Sequence, residues 1–258
     1  MTGIDKYAYK SKIAVLKASH KLLFALVMMG VCLFFGSLAV SALTIAVMSV
    51  ATLILGGYRL KKYLSLLFVP LSFLVVGVLT IIVNQLAGAD EAIVSFNAFG
   101  GIYGISPDSL HTGFKIFLRA LGAVACLYFF SLNTPMNSFL SLLRKHVPGI
   151  VVELMELMYR FIFIVWEEAG KIHTAQSSRL GYKGFVNSLK SLADLITSVF
   201  IRALRRVDRI SVSLESRGFE DNFNFLIEPE RSSRLLVGYA ACAVSLSVAL
   251  GLFGRLRS

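Results

Sequence analysis

Leu22 to Gly57 reads LLFALVMMGVCLFFGSLAVSALTIAVMSVATLILGG, 36 residues without a single charged side chain. A water-soluble helix needs a polar face, and nothing in this run supplies one. A bilayer core of about 30 Å asks for about 20 mostly apolar residues per span. The run is therefore too long for one span and just long enough for two short ones joined by a tight turn. Gly36-Ser37, or the small residues near Ser41, can make that turn.

Outward from this run the same reading repeats. A third span is expected from about Leu64 to Ala87, with Pro70 in its first third, a fourth from about Thr112 to Leu132, and a fifth from Leu235 to about Phe253. Gly100-Gly101 and Ser106-Pro107 mark turns in the 88–112 loop, and Thr134-Pro135 closes the fourth span. Of the 258 residues, 56% are hydrophobic and 16% are charged, against about a quarter charged in soluble domains. The expected class is an all-α polytopic membrane protein of about five transmembrane helices, plus a cytoplasmic region of long amphipathic helices. Three regions follow: 1–132 with four spans, 133–234, and 235–258 with the last span.

Charge orients the spans. Five lysines (Lys6, Lys10, Lys12, Lys17 and Lys21) precede the first span, and Arg59, Lys61 and Lys62 follow the second. The 88–112 loop has Asp90, Glu91 and Asp108 but no lysine or arginine, and residues 133–234 carry 14 basic residues. Basic segments stay on the cytoplasmic side. That puts the N-terminus and 133–234 inside and the acidic loop outside, with Arg255 and Arg257 as exceptions. The formal charge of +11 is topogenic in this reading, and the lipid bilayer rather than nucleic acid is the expected partner. Lys115 and Arg119 open the fourth span four residues apart, placed to snorkel to the outer interface or, for Arg119, to pair inside the bundle. The first 21 residues are too polar for the apolar segment of a cleavable signal. Cys32, Cys126 and Cys242 all fall in apolar stretches and are expected to be buried, inert thiols.

Residues 133–234 are different. From Pro148 to about Ser178, apolar residues recur at Val151, Leu154, Met158, Phe161, Ile162, Val165 and Ala169, close to the helical period. Glu153, Glu156, Arg160, Glu167 and Lys171 take the other side, and Glu156 and Arg160 are spaced to pair. A second helix is expected from about Leu189 to Ser216. Ile196, Val199, Phe200, Ala203, Val207, Ile210 and Leu214 form its stripe, and Arg202, Arg205, Arg206 and Arg209 form a basic face. That face suits either anionic lipid or the acidic surface of a partner protein.

Both helices end alike. One finishes Ser178-Arg179-Leu180-Gly181-Tyr182 and the other Ser216-Arg217-Gly218-Phe219, with the arginines 38 residues apart. Glycine past a helix end allows a left-handed cap, and arginine suits the negative end of the dipole. A repeated arginine tip also suits docking, because a guanidinium fork binds a carboxylate bidentately.

With these tips, the opening Ile4-Asp5-Lys6-Tyr7-Ala8, the turn Thr134-Pro135-Met136, and Glu153-Leu154 leading to Met158-Tyr159-Arg160, the chain resembles a known family. This is the transmembrane (T) component of energy-coupling factor importers, in its cobalt/nickel-type, CbiQ-like branch. The resemblance implies a coupling subunit of the cell membrane that links two ATP-binding cassette subunits to a substrate-capture (S) membrane subunit, for cobalt or nickel uptake. It implies that Arg179 and Arg217 dock on the two ATPases, with Ser178, Gly181, Ser216 and Gly218 shaping the tips. Where the family has Ala-Arg-Gly-like triplets, serine here replaces alanine twice, and Leu180 displaces the first glycine to Gly181. The chain carries no phosphate-cradling glycine loop with a following Lys-Ser/Thr, so ATP is expected on the partners, with no cofactor and no catalytic residue in this chain. The alternatives are the T component of a vitamin-type importer, a self-contained channel or secondary transporter, and a membrane enzyme. His20, His111, His146 and His173 show no ligand-like spacing, although His111 lies near Asp108 on the outer loop.

Overall fold

The computed structural model describes residues 8–9, 11–85, 94–98, 101–218 and 234–257. Ile4 to Tyr7, Lys10, Asp90, Glu91, Gly100 and residues 219–233, Phe219 among them, lie outside the described residues. The side chains of Arg255 and Arg257 do too. The chain divides into two compact units. One holds the five apolar helices and a small sheet, and the other runs from Leu140 through two long amphipathic helices.

In the first unit, α1 (Ala18–Phe35) and α2 (Leu38–Val50, continued by a π-helical turn over Ala51–Leu55) form a hairpin. It turns at Gly36, whose φ of 56° is the left-handed conformation that glycine adopts without penalty. Next come α3 (Leu60–Ile82, with Pro70 inside), α4 (Pro107–Asn133) and, after the second unit, α8 (Arg234–Arg257). Five helices are long and apolar enough to span a membrane. The reading of 22–57 as two short spans joined by a tight turn holds. The spans are displaced from the sequence estimates, since α1 starts before Leu22, α3 ends at Ile82 rather than Ala87, and α4 starts at Pro107 rather than Thr112. Hydropathy marks where apolar surface is needed, whereas the helix ends are set by caps. Ser106 caps α4 in a reciprocal box with Ser109, and Pro107 occupies the first turn.

The end of the expected third span and the 88–112 loop hold regular structure. Val83–Gln85 (β1), Val94–Ala98 (β2) and Gly101–Ile105 (β3) form an antiparallel sheet in the order β1-β3-β2, pairing Asn84 with Gly104 and Phe96 with Tyr103. Short strands between two long apolar runs leave too weak an alternation to stand out in the sequence.

The core of this unit forms where α1, α2, α4 and α8 meet, around Phe24, Met28, Met48, Ala125, Cys126 and Phe129. Phe24 packs edge-on against Phe129, with centroids 5.4 Å apart, and against Tyr239 at 6.0 Å. Tyr239 donates to the Val47 carbonyl (3.0 Å). Lys21, read from sequence as an exposed topogenic charge, is fully buried in α1. Cys32 and Cys126 are buried as expected, but Cys242 is exposed.

Candidate functional site

The second unit contains a short α5 (Met136–Leu143), begun in the first unit and not foreseen in the sequence, then α6 (Gly149–Ser178) and α7 (Phe185–Glu215). The two long helices match the expected pair, except that α7 begins at Phe185 instead of Leu189. They are joined by a tight elbow over 179–184.

Side chains fix that elbow. Gln176 donates from Nε2 to the Ser191 carbonyl (2.9 Å) and accepts from the Tyr182 hydroxyl on Oε1 (2.8 Å). Ser191 Oγ donates to the Gly181 carbonyl (2.8 Å), and Ser188 Oγ to those of Tyr182 (3.1 Å) and Gly184 (2.7 Å). The His173 ring lies 4.7 Å from that of Tyr182. The sequence offered Tyr182 only as the aromatic after the first tip, and the hydrogen-bonding roles of Gln176, Tyr182, Ser188 and Ser191 were missed. Their signal was a pair of serines three residues apart in the first turns of α7, with a glutamine five residues before Gly181.

At the first tip the α6 cap is a full Schellman motif. Gly181 N–H reaches the Gln176 carbonyl (2.9 Å) and Leu180 N–H that of Ser177 (3.0 Å). The left-handed residue is Leu180, at φ 60°, and not Gly181 as the sequence suggested. Gly181 is needed for space instead, because a Cβ there would lie 2.6 Å from Ser191 Oγ. At the second tip Gly218 takes φ 63°, and its N–H reaches the Glu215 carbonyl (3.0 Å). In both tips the residue after the arginine is therefore left-handed. Ser178 Oγ bonds back to the Thr174 carbonyl and Ser216 Oγ to that of Ser213, both at 3.0 Å, so each serine hydroxyl serves its own helix. Arg179 and Arg217 are exposed, and among the described residues their guanidinium groups make no ion pair or hydrogen bond.

The basic face of α7 is only partly free. Arg202 pairs with Glu168 of α6 (3.2 Å), which also lies 4.0 Å from Lys171, and Lys171 pairs with Glu167 (2.8 Å). The Lys171 ammonium holds the Glu167 carboxyl below its usual range, and Glu167 in turn raises the lysine. Arg209 Nε donates to the Arg205 carbonyl (3.2 Å). Arg202, Arg206 and Arg209 line a pocket of about 100 Å³ with Glu168, Val165, Val199 and Ala203. The expected Glu156–Arg160 pair does not form. The Glu156 Oε2 is shielded without a partner among the described residues, and burial pushes its carboxyl up, opposed by the Arg144 charge.

The apolar stripes are divided. Val165, Val199 and Ala203 face the pocket, while Leu154, Met158, Ile162, Ile196, Phe200 and Val207 remain exposed. Ile150, Leu154, Met158, Ile162 and Trp166 form one continuous row at four-residue spacing along α6, all more than half exposed or close to it. Among the described residues, no group of three His, Cys, Asp or Glu is gathered as a metal site.

Residues 10–224 match the family model described as CbiQ, cobalt transport protein. The chain belongs to the CbiQ family. It is 29% identical to the cobalt transport protein CbiQ of Salmonella typhimurium, over 87% of this chain and all of that protein. It is 34% identical to the fused cobalt transport protein CbiMQ of Methanocorpusculum labreanum, over 98% of this chain but only 41% of that longer protein. It is also 28% identical to the energy-coupling factor transporter transmembrane protein EcfT of Thermosediminibacter oceani, over 69% of each. This CbiQ-family chain is the multi-pass membrane component of a transporter.

Proposed function

We propose that the chain is the coupling subunit of an energy-coupling factor importer for cobalt or nickel ions, standing between two ATP-binding cassette subunits and a substrate-capture membrane subunit. In this reading residues 1–132 and 235–258 lie in the cell membrane, and the N-terminus and 133–234 face the cytoplasm. ATP is bound by the partners, and the chain itself does no chemistry. Arg179 and Arg217 each dock on one ATPase, with Ser178, Gly181, Ser216 and Gly218 holding the tips. Arg205 and Arg206 face anionic lipid or an acidic partner surface, beside Arg202 and Arg209. Relatives named for cobalt transport and for energy coupling support the class, and the relative named as a fused cobalt transport protein CbiMQ supports a second cobalt transport protein as a neighbour.

One observation carries the docking role: two exposed arginines without partners among the described residues, each followed by a left-handed residue at a helix end. An exposed, unpaired guanidinium on a fixed cap is prepared for a carboxylate at little further ordering cost. The hydrogen-bonded elbow makes α6 and α7 a stiff lever, so motion imposed at the tips is carried along the helices.

The test is uptake of radioactive cobalt or nickel by cells holding the complete transporter. Arg179→Ala with Arg217→Ala is expected to abolish uptake and release the ATPases on co-purification, while the chain stays in the membrane. Normal ATP-driven uptake by the double variant overturns the docking role. Uptake of a vitamin in place of a metal ion would move the chain to the vitamin-type branch.

A further inference from the structure

The α1–α2 hairpin is short compared with the helices it packs on. At its base Lys21 Nζ lies 2.8 Å from the Asn133 carbonyl, at the end of α4. At its tip, a Cβ built on Gly36 would lie 3.6 Å from an Arg119 terminal nitrogen, and Cys32 Sγ lies 3.8 Å from the Arg119 carbonyl. Arg119 is thus level with the tip. From there α4 runs twelve residues further to Pro107, about 18 Å at 1.5 Å per residue. α3 runs beside it, with Ser109 Oγ bonded to the Ile82 carbonyl (3.0 Å). This upper stretch is clothed in exposed apolar side chains, including Phe73, Val76, Leu79 and Phe114. The hairpin therefore leaves a notch beside α3 and α4, within the apolar belt, and Arg119 lies on its floor.

Among the described residues nothing answers the charge on that floor. Arg119 Nε is shielded from solvent without a hydrogen-bond partner, and among the described residues the guanidinium makes no ion pair. Lys115, one turn up α4 and exposed, brings its Cε within 4.0 Å of the same Gly36 position. The two cations converge at the carbonyl end of α1. A helix dipole offers about half a charge there, which attracts a cation but does not neutralise two. An arginine in an apolar belt is costly without a counter-charge, and among the described residues no anion meets it, so the pair is set to take one.

We infer that Arg119 and Lys115 bind the phosphate of a phospholipid drawn down against the hairpin tip. The guanidinium fork suits phosphate oxygens and the ammonium adds a point charge. Exposed Leu33, Phe34 and Phe114 offer apolar surface for the acyl chains. A bilayer thins over a short hydrophobic element, which brings headgroups down to this level. A partner protein's carboxylate would have to carry a second charge into the belt, so the lipid is favoured.

The test uses the full-length chain purified in mild detergent. Native mass spectrometry reads retained lipid, and thermal unfolding is followed with added phosphatidylglycerol, diacylglycerol or inorganic phosphate. The wild type is expected to retain one phospholipid and to gain Tm with phosphatidylglycerol only. Arg119→Gln is expected to weaken retention about tenfold or more, as expected for a lost charge-assisted hydrogen bond. Lys115→Gln, at an exposed position, is expected to weaken it less while folding normally, and it carries the test should Arg119→Gln not fold. The inference is overturned if diacylglycerol or inorganic phosphate stabilises as well as the phospholipid, or if the variants keep the lipid. It also falls if Arg119→Gln leaves lipid retention intact but blocks assembly with other subunits, which would make the anion a partner's carboxylate.

Discussion

Leu180 and Gly218, at the ends of different helices, hold the same left-handed backbone, with φ of 60° and 63°, each one residue after an exposed arginine. The tips are therefore alike in backbone although their sequences differ. For leucine that conformation costs about 1–2 kcal/mol. It is held by the two Schellman hydrogen bonds of α6 and by the Gln176–Ser191 contact behind it.

Leu180→Gly should relieve this strain. Glycine's greater freedom in the unfolded chain takes back about 0.5–1 kcal/mol, leaving a net gain of at most about 1.5 kcal/mol. Hydrogen exchange at the elbow amides should slow slightly. Gly218→Ala should cost about 1 kcal/mol by imposing on the second tip the strain that the first already bears. Faster elbow exchange in the leucine variant would contradict the strain at Leu180.

Glu168 and Arg202 join α6 to α7 through partly exposed side chains. Such pairs contribute about 0.2–1 kcal/mol and are screened by salt. A double-mutant cycle with Glu168→Gln and Arg202→Gln should give a coupling energy in that range, falling as ionic strength rises. A larger, salt-independent value would mean that the pair is shielded when the protein is in its membrane.

Much of this was legible because the residues themselves carry it. The charge-free run of 22–57 can only be membrane hairpin, Thr134-Pro135 can only stop a helix, and the spacing of Val151 through Ala169 fixes a helical face. What was not legible depends on contacts between distant residues. Lys21 counts as a topogenic charge until Ile13, Ala14 and Asn133 are brought around it. Gly181 looks like a cap glycine until Ser191 of the next helix is seen to occupy the space where its Cβ would be. Glu167 and Lys171 pair at four-residue spacing, whereas Glu156 and Arg160, equally spaced, form no ion pair among the described residues.

Lys21 should be a strong determinant of stability. Its ammonium donates to the carbonyls of Ile13 (3.0 Å), Ala14 (3.2 Å) and Asn133 (2.8 Å), tying the start of α1 to the end of α4. Lys21→Met fills similar volume but removes the ammonium donor from these carbonyls. The Ile13 carbonyl keeps the Leu16 N–H (3.1 Å), but the buried Asn133 carbonyl loses the lysine, and a buried group left unsatisfied costs about 1–3 kcal/mol, so a loss of that order is expected, read as a fall in Tm in detergent. Lys12→Met, at an exposed neighbour, should leave Tm unchanged. Equal effects from the two substitutions would remove the special role of Lys21.

Glu156 should make the second unit less stable as pH rises. Burial lifts its carboxyl above the ordinary value of 4.5, with Glu153 adding to the rise and Arg144 opposing it. Below the ordinary value the group is protonated whether the chain is folded or not, and it costs nothing. As pH climbs through the raised folded value, the folded protein must carry a partly buried charge that the unfolded chain carries in water, so stability is lost. Glu167 works in the opposite sense at lower pH, because Lys171 holds its carboxyl down and that contribution disappears on acidification. Wild type and Glu156→Gln must therefore be compared at each pH, so that the Glu167 effect cancels. The variant should match the wild type near the ordinary carboxyl value and exceed it in stability at neutral pH, by hydrogen exchange along α6. A constant difference across that range would show that Glu156 acts through packing and not through its charge.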